Sequence, residues 1–121
     1  MHLRAIIALL LCSLFSFSAV AANDQEIAWA RFLIEEGKKA DAYRPQNGYV
    51  PDEQTAIGIA LSVWAPIYGK EQIEKQKPYS AVLVDGYWVV SGSLPEIMPG
   101  GVAHAVIEKD TGQVVYVIHS Q

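Results

Sequence analysis

One block of helix-forming sequence, residues 49–69, constrains the fold of this chain more than any other stretch. Its sequence is YVPDEQTAIGIALSVWAPIYG. The apolar residues that recur in it at helical spacing are Ile57, Ala60, Leu61 and Trp64. This spacing predicts a helix over residues 52–65 with one buried face. Pro66 lacks the backbone donor that would continue the helix, so we expect a kink or an end there, with Gly69 as a glycine exit.

The segments on either side of this block predict two further pieces of helix. Asn23 is followed three residues later by Glu26, which is the spacing of a capping box, and an apolar face continues to residue 37. Residues 41–48 are rich in polar residues, proline and glycine, which is typical of a loop. Residues 70–76 predict a short helical segment or linker before Pro78.

Beyond Pro78 the hydrophobic period changes from helical to two. Strands over residues 79–84 and 87–94 flank the dipeptide Asp85-Gly86, a strong signal for a tight hairpin. A second hairpin is predicted from strands 102–109 and 113–119, with Gly112 left-handed in its turn. The face of the first hairpin expected to meet the helices carries Ala81, Leu83, Trp88 and Val90.

Helices followed by strands predict an α+β fold. We expect N-terminal helices packed on a curved four-stranded antiparallel sheet made of two hairpins, forming a half-open cone. The aromatic residues expected in its core are Trp29, Trp64, Tyr68, Tyr79 and Trp88.

The first 21 residues predict a cleavable signal peptide. Arg4 precedes an uncharged apolar run, and small residues end it, so cleavage is expected between Ala21 and Ala22. The alternative is an uncleaved membrane anchor, and lipidation of Cys12 is disfavoured because Leu11 precedes it. Cleavage places the protein in the periplasm or outside the cell, where it has no contact with the membrane.

The composition of the processed chain excludes some partners. The net charge of the whole chain is −4, and loss of Arg4 makes it one unit more negative. This balance is wrong for binding nucleic-acid phosphates, whereas it suits a basic partner or ordinary solubility. Cys12 is the single cysteine, so the domain must be held together by apolar burial without disulfides.

No catalytic or metal-binding pattern appears in the sequence. His104 and Glu108 share one face of a predicted strand, but four residues of strand separate them by roughly 13 Å, which is too far for a dyad. Ser91 and Ser93 lie outside any nucleophile-elbow motif. A metal site made by His104, His119 and a distant carboxylate stays open as an alternative.

Several unusual sequence pieces occur in one order between residues 49 and 121. The pattern YVPDExTA is followed by WxPIYG, KPY, DGYWVV, GSLP, GG and a closing VIH. This order resembles the immunity proteins with a nuclear transport factor 2 (NTF2) fold, which occur beside bacterial polymorphic toxins. The resemblance implies an immunity-like α+β domain over residues 49–121, and we expect the helix and loop of residues 22–48 to form one domain with it. It also implies a cognate toxin as partner, no cofactor and no catalytic residues.

Our hypothesis for function is therefore an exported protein that binds and neutralises one bacterial toxin. The alternatives are a small pocket enzyme of the isomerase or dehydratase kind, and a general exported ligand-binding or inhibitor domain. A buried carboxylate beside a tyrosine would favour the enzyme, and a space filled by Trp64 and Trp88 would disfavour it. The residues that we expect to contact the partner are Tyr87, Glu96, Ile97, Met98, His104 and Glu108.

Overall fold

The computed structural model describes residues 21–95 and 100–121. The chain divides into two compact units, the first ending at Ala42 and the second spanning Tyr43–Gln121. The predicted signal peptide lies outside the described residues, apart from Ala21. Within the described ranges, no helix combines the length and the apolar character needed to cross a membrane.

The first unit contains helix α1, Asp24–Lys38. Its predicted capping box is present: the Asn23 side chain accepts from the Glu26 amide, and the Glu26 carboxylate accepts from the Asn23 amide, both at 2.9 Å. No residue of α1 is buried. The prediction that Trp29 belongs to the core is therefore wrong: its side chain is 60% exposed and stacks on Phe32, with ring centroids 5.2 Å apart.

The second unit begins with the predicted main helix, α2, which spans Glu53–Tyr68. Asp52 is its N-cap and accepts the Thr55 amide hydrogen at 2.8 Å. The helix continues three residues past the predicted end, because Pro66 lies inside it and removes one donor without breaking it. Gly69, with a positive φ of 91°, ends the helix and donates to the Ala65 carbonyl.

The residues predicted as a short helical segment form helix α3, Lys70–Glu74. The four strands that follow form one antiparallel sheet in chain order. Their bounds are β1 Ser80–Val84, β2 Tyr87–Ser91, β3 Ala103–Glu108 and β4 Val114–His119. The α+β prediction of helices followed by a four-stranded antiparallel sheet is confirmed.

The first hairpin has the predicted register. Leu83 lies opposite Trp88 and Val82 lies opposite Val89. Asp85 and Gly86 both have positive φ, 50° and 81°, as a tight two-residue turn between twisted strands requires. Strand β2 ends three residues before the predicted position, because the Ser93 amide donates to the Gln76 carbonyl instead of to a strand.

The second hairpin joins β3 to β4 through residues 109–113. Gly112 has a φ of 75°, as its turn position predicted. The pairing shifts between Val106 and Ile107, where a bulge adds a residue to β4. Gly101 lies against the C-terminal backbone, since a Cβ atom there would overlap the Ser120 carbonyl.

Helix α2 packs on one face of the sheet, and the core lies between them. Two of the predicted core aromatics fill this space: Trp64 is 0% and Trp88 6% exposed. The Trp88 indole donates to the Val50 carbonyl at 2.8 Å, so its polar atom is satisfied. Tyr68 and Tyr79 are half-buried against the same cluster. Of the apolar face predicted for the first hairpin, Ala81, Trp88 and Val90 are buried against the helix side, whereas Leu83, at the turn end of β1, is 45% exposed.

Candidate functional site

The face of the sheet opposite α2 is the largest surface on which predicted partner-binding residues meet. We call it the outer face, and it consists of three rows of side chains that run across the strands. The central row is entirely apolar and contains Val82, Val89, Val106 and Tyr116, each paired with the next across the sheet. Val82 and Tyr116, at the edges of the row, are each 56% exposed, whereas Val89 and Val106 in its middle are half-buried. An apolar row exposed to this extent is typical of an interaction surface.

The row nearest the Asp85-Gly86 turn brings together two of the predicted residues. Tyr87 on β2 lies directly opposite Glu108 on β3 in the sheet register. Val84 of β1 extends this row on the other side of Tyr87 and is 51% exposed. A tyrosine and a glutamate are therefore cross-strand neighbours at one rim of the apolar row.

The third row contains the predicted residue His104, and both of its ring nitrogens are engaged. Nδ1 lies 2.8 Å from the Ser91 hydroxyl, and Nε2 lies 3.2 Å from the Ser120 hydroxyl. Ser91 and His104 are direct neighbours across β2 and β3. The sequence did not predict this contact, because its turn signals pair strands only within each hairpin and give no register between β2 and β3.

The contact between Ser91 and His104 fits a positioning role better than a catalytic one. A catalytic histidine is usually oriented by a carboxylate through its second nitrogen, whereas here that nitrogen meets the Ser120 hydroxyl. The nearby backbone amides already have acceptors. The Gly92 amide donates to the Ala103 carbonyl, and the Val102 amide donates to the Ser120 hydroxyl. The hydroxyls therefore hold the imidazole in a fixed orientation on the outer face.

The two histidines of the sheet lie on opposite faces. His104 pairs with Ile118 on the outer face, and His119 pairs with Ala103 on the inner face. They cannot ligate one ion, so the alternative of a metal site made by both histidines is wrong. Over the described residues, no cluster of three or more histidine, cysteine or acidic side chains is arranged to hold a metal.

A cleft of about 270 Å³ lies between α2, α3 and the start of β1. Its floor is apolar, and Lys70, Glu74 and Lys77 lie at its edge. The Tyr79 hydroxyl donates to the Ile73 carbonyl at 2.7 Å. Burial, and secondarily the Glu74 carboxylate, raise the pKa of Tyr79 above its usual value. The Tyr79 side chain is therefore neutral, and its hydroxyl is already hydrogen-bonded to a backbone carbonyl.

The carboxylates near the outer face have no lysine or arginine partner within the described parts of the chain. The ion pairs found there are at the C-terminal end of α1, between Lys38 and Glu35 and between the C-cap Lys39 and Glu36. Glu108 therefore contributes uncompensated negative charge to the rim of the outer face. The remaining predicted contact residues, Glu96, Ile97 and Met98, lie outside the described residues.

Comparison with known proteins shows the family of this chain. The profile of the family described as "NTF2 fold immunity protein" matches residues 55–121, from the first turns of α2 to the end of the chain. The chain belongs to this family of immunity proteins. The family match covers α2 from Thr55 onward, α3 and all four strands, and so includes the whole outer face.

A relative in Escherichia coli (strain K12) extends the similarity toward the N-terminus. It is the uncharacterized protein YbbC, which is 33% identical over 105 residues, covering 86% of this chain and 84% of YbbC. No solved structure matches the chain. The family match thus covers most of the second unit, and the similarity to YbbC is longer than the family match.

Proposed function

We propose that this protein is an exported immunity protein that binds one cognate bacterial toxin and blocks it by covering the toxin's active surface. The observation that carries this proposal is the family match over residues 55–121. Immunity families act on toxins, and the described residues offer a surface for protein contact. Binding then depends on complementarity between surfaces, with no cofactor and no chemical step.

The filled interior supports binding over catalysis. Trp64 is fully buried and Trp88 nearly so, and both belong to the core cluster between α2 and the sheet. The single buried polar residue of the described chain is Gln76, and it is an amide without acid–base function at ordinary pH. A general acid or base in an enclosed site would instead need a buried titratable group.

Export supports the proposal from the sequence. The apolar run after Arg4 and the small residues before Ala22 are typical of a cleavable signal peptide. A periplasmic antagonist would meet a toxin that enters from outside before the toxin reaches its target. The intact mass of protein recovered from the periplasmic fraction tests this step, and a full-length membrane-bound species would contradict it.

Protection from a toxin tests the proposed function directly. Open reading frames that flank this gene are expressed in Escherichia coli with an export signal, alone and together with this chain. We expect one of them to arrest growth and this chain to restore it. The matched control is the same chain without residues 1–21, which stays in the cytoplasm and should not protect against an exported toxin. Growth arrest that the exported chain never relieves would overturn the proposal.

A further inference from the structure

The cleft between α2, α3 and the start of β1 is an apolar concavity that the described residues of the second unit leave open. Its volume is about 270 Å³, and its floor is made by Leu61, Ala65, Ile73 and Tyr79. Ile73 is buried, and Leu61 and Tyr79 are half-buried and pack against the core cluster. The floor is therefore continuous with the core, and an apolar group placed on it would be removed from water, which is favourable.

The uncharged polar side chains of the cleft already have hydrogen-bond partners. The Ser62 hydroxyl donates to the Gly58 carbonyl at 2.9 Å, one turn back in α2. The Tyr79 hydroxyl donates to the Ile73 carbonyl at 2.7 Å. A ligand in this cleft is therefore held by apolar contacts on the floor and oriented by the charged groups at the edge.

Three charged side chains lie at the edge of the cleft, Lys70, Glu74 and Lys77. Lys70 and Glu74 are four residues apart, a spacing at which helical side chains can pair. The ion pairs of the described parts of the chain nevertheless include none of the three. The Glu74 carboxylate lies near Tyr79, because it is the second cause, after burial, of the raised pKa of that tyrosine. The edge thus offers two ammonium groups and one carboxylate to a ligand.

We propose that this cleft binds a free α-amino acid with an apolar side chain. The side chain lies on the apolar floor, the carboxylate contacts Lys70 and Lys77, and the ammonium contacts Glu74. A zwitterion is the class of small ligand that gives both signs of edge charge an opposite partner. Glu74 repels a simple fatty acid, and the two lysines repel a simple amine, so like charges select against both.

The volume of the cleft limits the size of the ligand. Liquid water takes about 30 Å³ per molecule, so 270 Å³ hold on the order of ten non-hydrogen atoms. Leucine matches this size, and phenylalanine fits with its ring on the floor and its backbone atoms at the edge. A ligand with so few atoms binds weakly, and we expect a dissociation constant on the order of 0.1–1 mM.

The site does not depend on the proposed immunity role. The cleft lies on the helix side of the sheet, whereas the outer face is the side opposite α2. The proposal is therefore tested on the processed full chain alone, without a toxin, and failure of one proposal leaves the other standing.

An NMR titration with leucine up to about 10 mM, well above the expected dissociation constant, tests the site. We expect saturable shifts of the backbone amides of Ile73, Glu74 and Tyr79. Isocaproate is leucine without its ammonium group, and isoamylamine is leucine without its carboxylate. Each should bind about fivefold more weakly or worse, because it loses one ionic contact and keeps the repulsion. Glycine should cause no saturable shift, since it has no side chain to place on the floor.

Substitutions at the edge separate the two ionic contacts. Glu74→Gln should remove most of the preference for leucine over isocaproate. The double variant Lys70→Gln/Lys77→Gln should remove most of the preference for leucine over isoamylamine. The matched controls are Glu71→Gln and Lys75→Gln, which make the same changes of charge in the same segment but do not line the cleft. Both controls should keep both preferences, and circular dichroism checks that all variants fold.

Three results would overturn the proposal. The first is the absence of saturable shifts around the cleft up to about 10 mM leucine. The second is isocaproate or isoamylamine binding as tightly as leucine, which would show that the edge does not select a zwitterion. The third is an equal effect of the edge variants and their matched controls, which would reduce the edge to a contribution of net charge.

Discussion

The Gln76 side chain and the His119 ring are joined by a hydrogen bond of 3.3 Å between their Nε2 atoms. The direction of this bond is determined by its neighbours. Gln76 Oε1 accepts the Ala103 amide hydrogen at 2.7 Å, so the amide nitrogen of Gln76 faces the ring. His119 Nδ1 lies 2.9 Å from the Ser120 carbonyl and must donate to it. His119 Nε2 is therefore the acceptor, and the imidazole is neutral in this arrangement.

Substitution of Gln76 by an apolar residue should destabilise the domain, because the Ala103 amide and the His119 ring then lose a hydrogen-bond partner. In Gln76→Leu the buried Ala103 amide loses its acceptor, and we expect a loss of about 1–3 kcal/mol in the free energy of unfolding. Gln72→Leu is the matched control, because Gln72 lies on α3 and is exposed. Urea unfolding of both variants measures the difference. Equal stability of the two would show that the Gln76 amide contributes nothing beyond its apolar volume.

A second prediction concerns the close approach of Gly101 to the C-terminal backbone. A methyl group at Gly101 would overlap the Ser120 carbonyl, and backbone cannot move aside as a flexible side chain can. Gly101→Ala should therefore lower the free energy of unfolding by about 2 kcal/mol or more.

Gly37→Ala is the control for this glycine. A Cβ atom at Gly37 meets no atom within 4 Å, and alanine favours a helix over glycine by about 1 kcal/mol. Thermal unfolding should therefore show opposite shifts for the two variants. A Gly101→Ala protein as stable as the wild type would mean that the backbone contact is loose.

The register of the first hairpin could be predicted from the sequence because two local signals agree. Asp85-Gly86 fixes the turn, and a slip of one residue would move Trp88 from the core to the solvent face. The end of α2 could not be predicted in the same way. Pro66 removes one hydrogen bond but keeps a helical φ, so the helix continues until Gly69 supplies a positive φ.

The contacts of the candidate site depend on information that is not local in the sequence. Ser91 meets His104 only through the pairing of β2 with β3, and the long connection between these strands contains no turn motif that fixes their register. Trp29 shows the converse error. The helical spacing of α1 correctly predicts an apolar side, but a periodic pattern does not say whether anything covers that side.

Trp88 and Trp29 offer a comparison of a buried and an exposed indole. Trp88→Phe removes the donor to the buried Val50 carbonyl and leaves a void, so we expect a loss of about 2–3 kcal/mol. Trp29→Phe should change the stability by less than about 0.5 kcal/mol, because the Trp29 side chain is mostly exposed. Chemical denaturation measures both. A large effect of Trp29→Phe would indicate that α1 is covered in solution.

The N-cap of α2 should make stability depend on pH in acid. The amide of Thr55, and secondarily its hydroxyl, donate to Asp52 and lower the pKa of this carboxyl below its usual value of 3.8. A pKa that is lower in the folded state means that the charged carboxylate stabilises the fold above pH 3.8. This contribution is lost as the pH falls through the folded pKa.

Asp52→Asn tests this prediction, because asparagine caps a helix without titrating. The difference in unfolding free energy between wild type and Asp52→Asn should be constant near pH 6. As the pH falls toward about 2.5, the wild type should lose stability relative to Asp52→Asn. Thr55→Val keeps the amide donor and removes the hydroxyl, so it should retain part of the pH dependence. Parallel pH profiles for wild type and Asp52→Asn would refute the assignment.

The last prediction concerns the apolar pair Ile97 and Met98, which stands between Pro95 and Pro99 in the sequence. Two neighbouring prolines restrict the backbone of a short segment, and apolar side chains presented on a stiff segment suit a protein interface. Replacement of both by aspartate should weaken binding to the cognate toxin at least about tenfold. We expect the same double substitution to change the fold little.

Isothermal titration with the toxin identified by the protection assay measures this affinity, and circular dichroism reports on the fold. Ile67→Asp is the control, because it places an aspartate on an exposed apolar position of α2. A weakened Ile97→Asp/Met98→Asp variant beside an unaffected control would assign the segment to the toxin interface. Unchanged affinity would instead leave Tyr87, His104 and Glu108 on the outer face as the remaining predicted contacts.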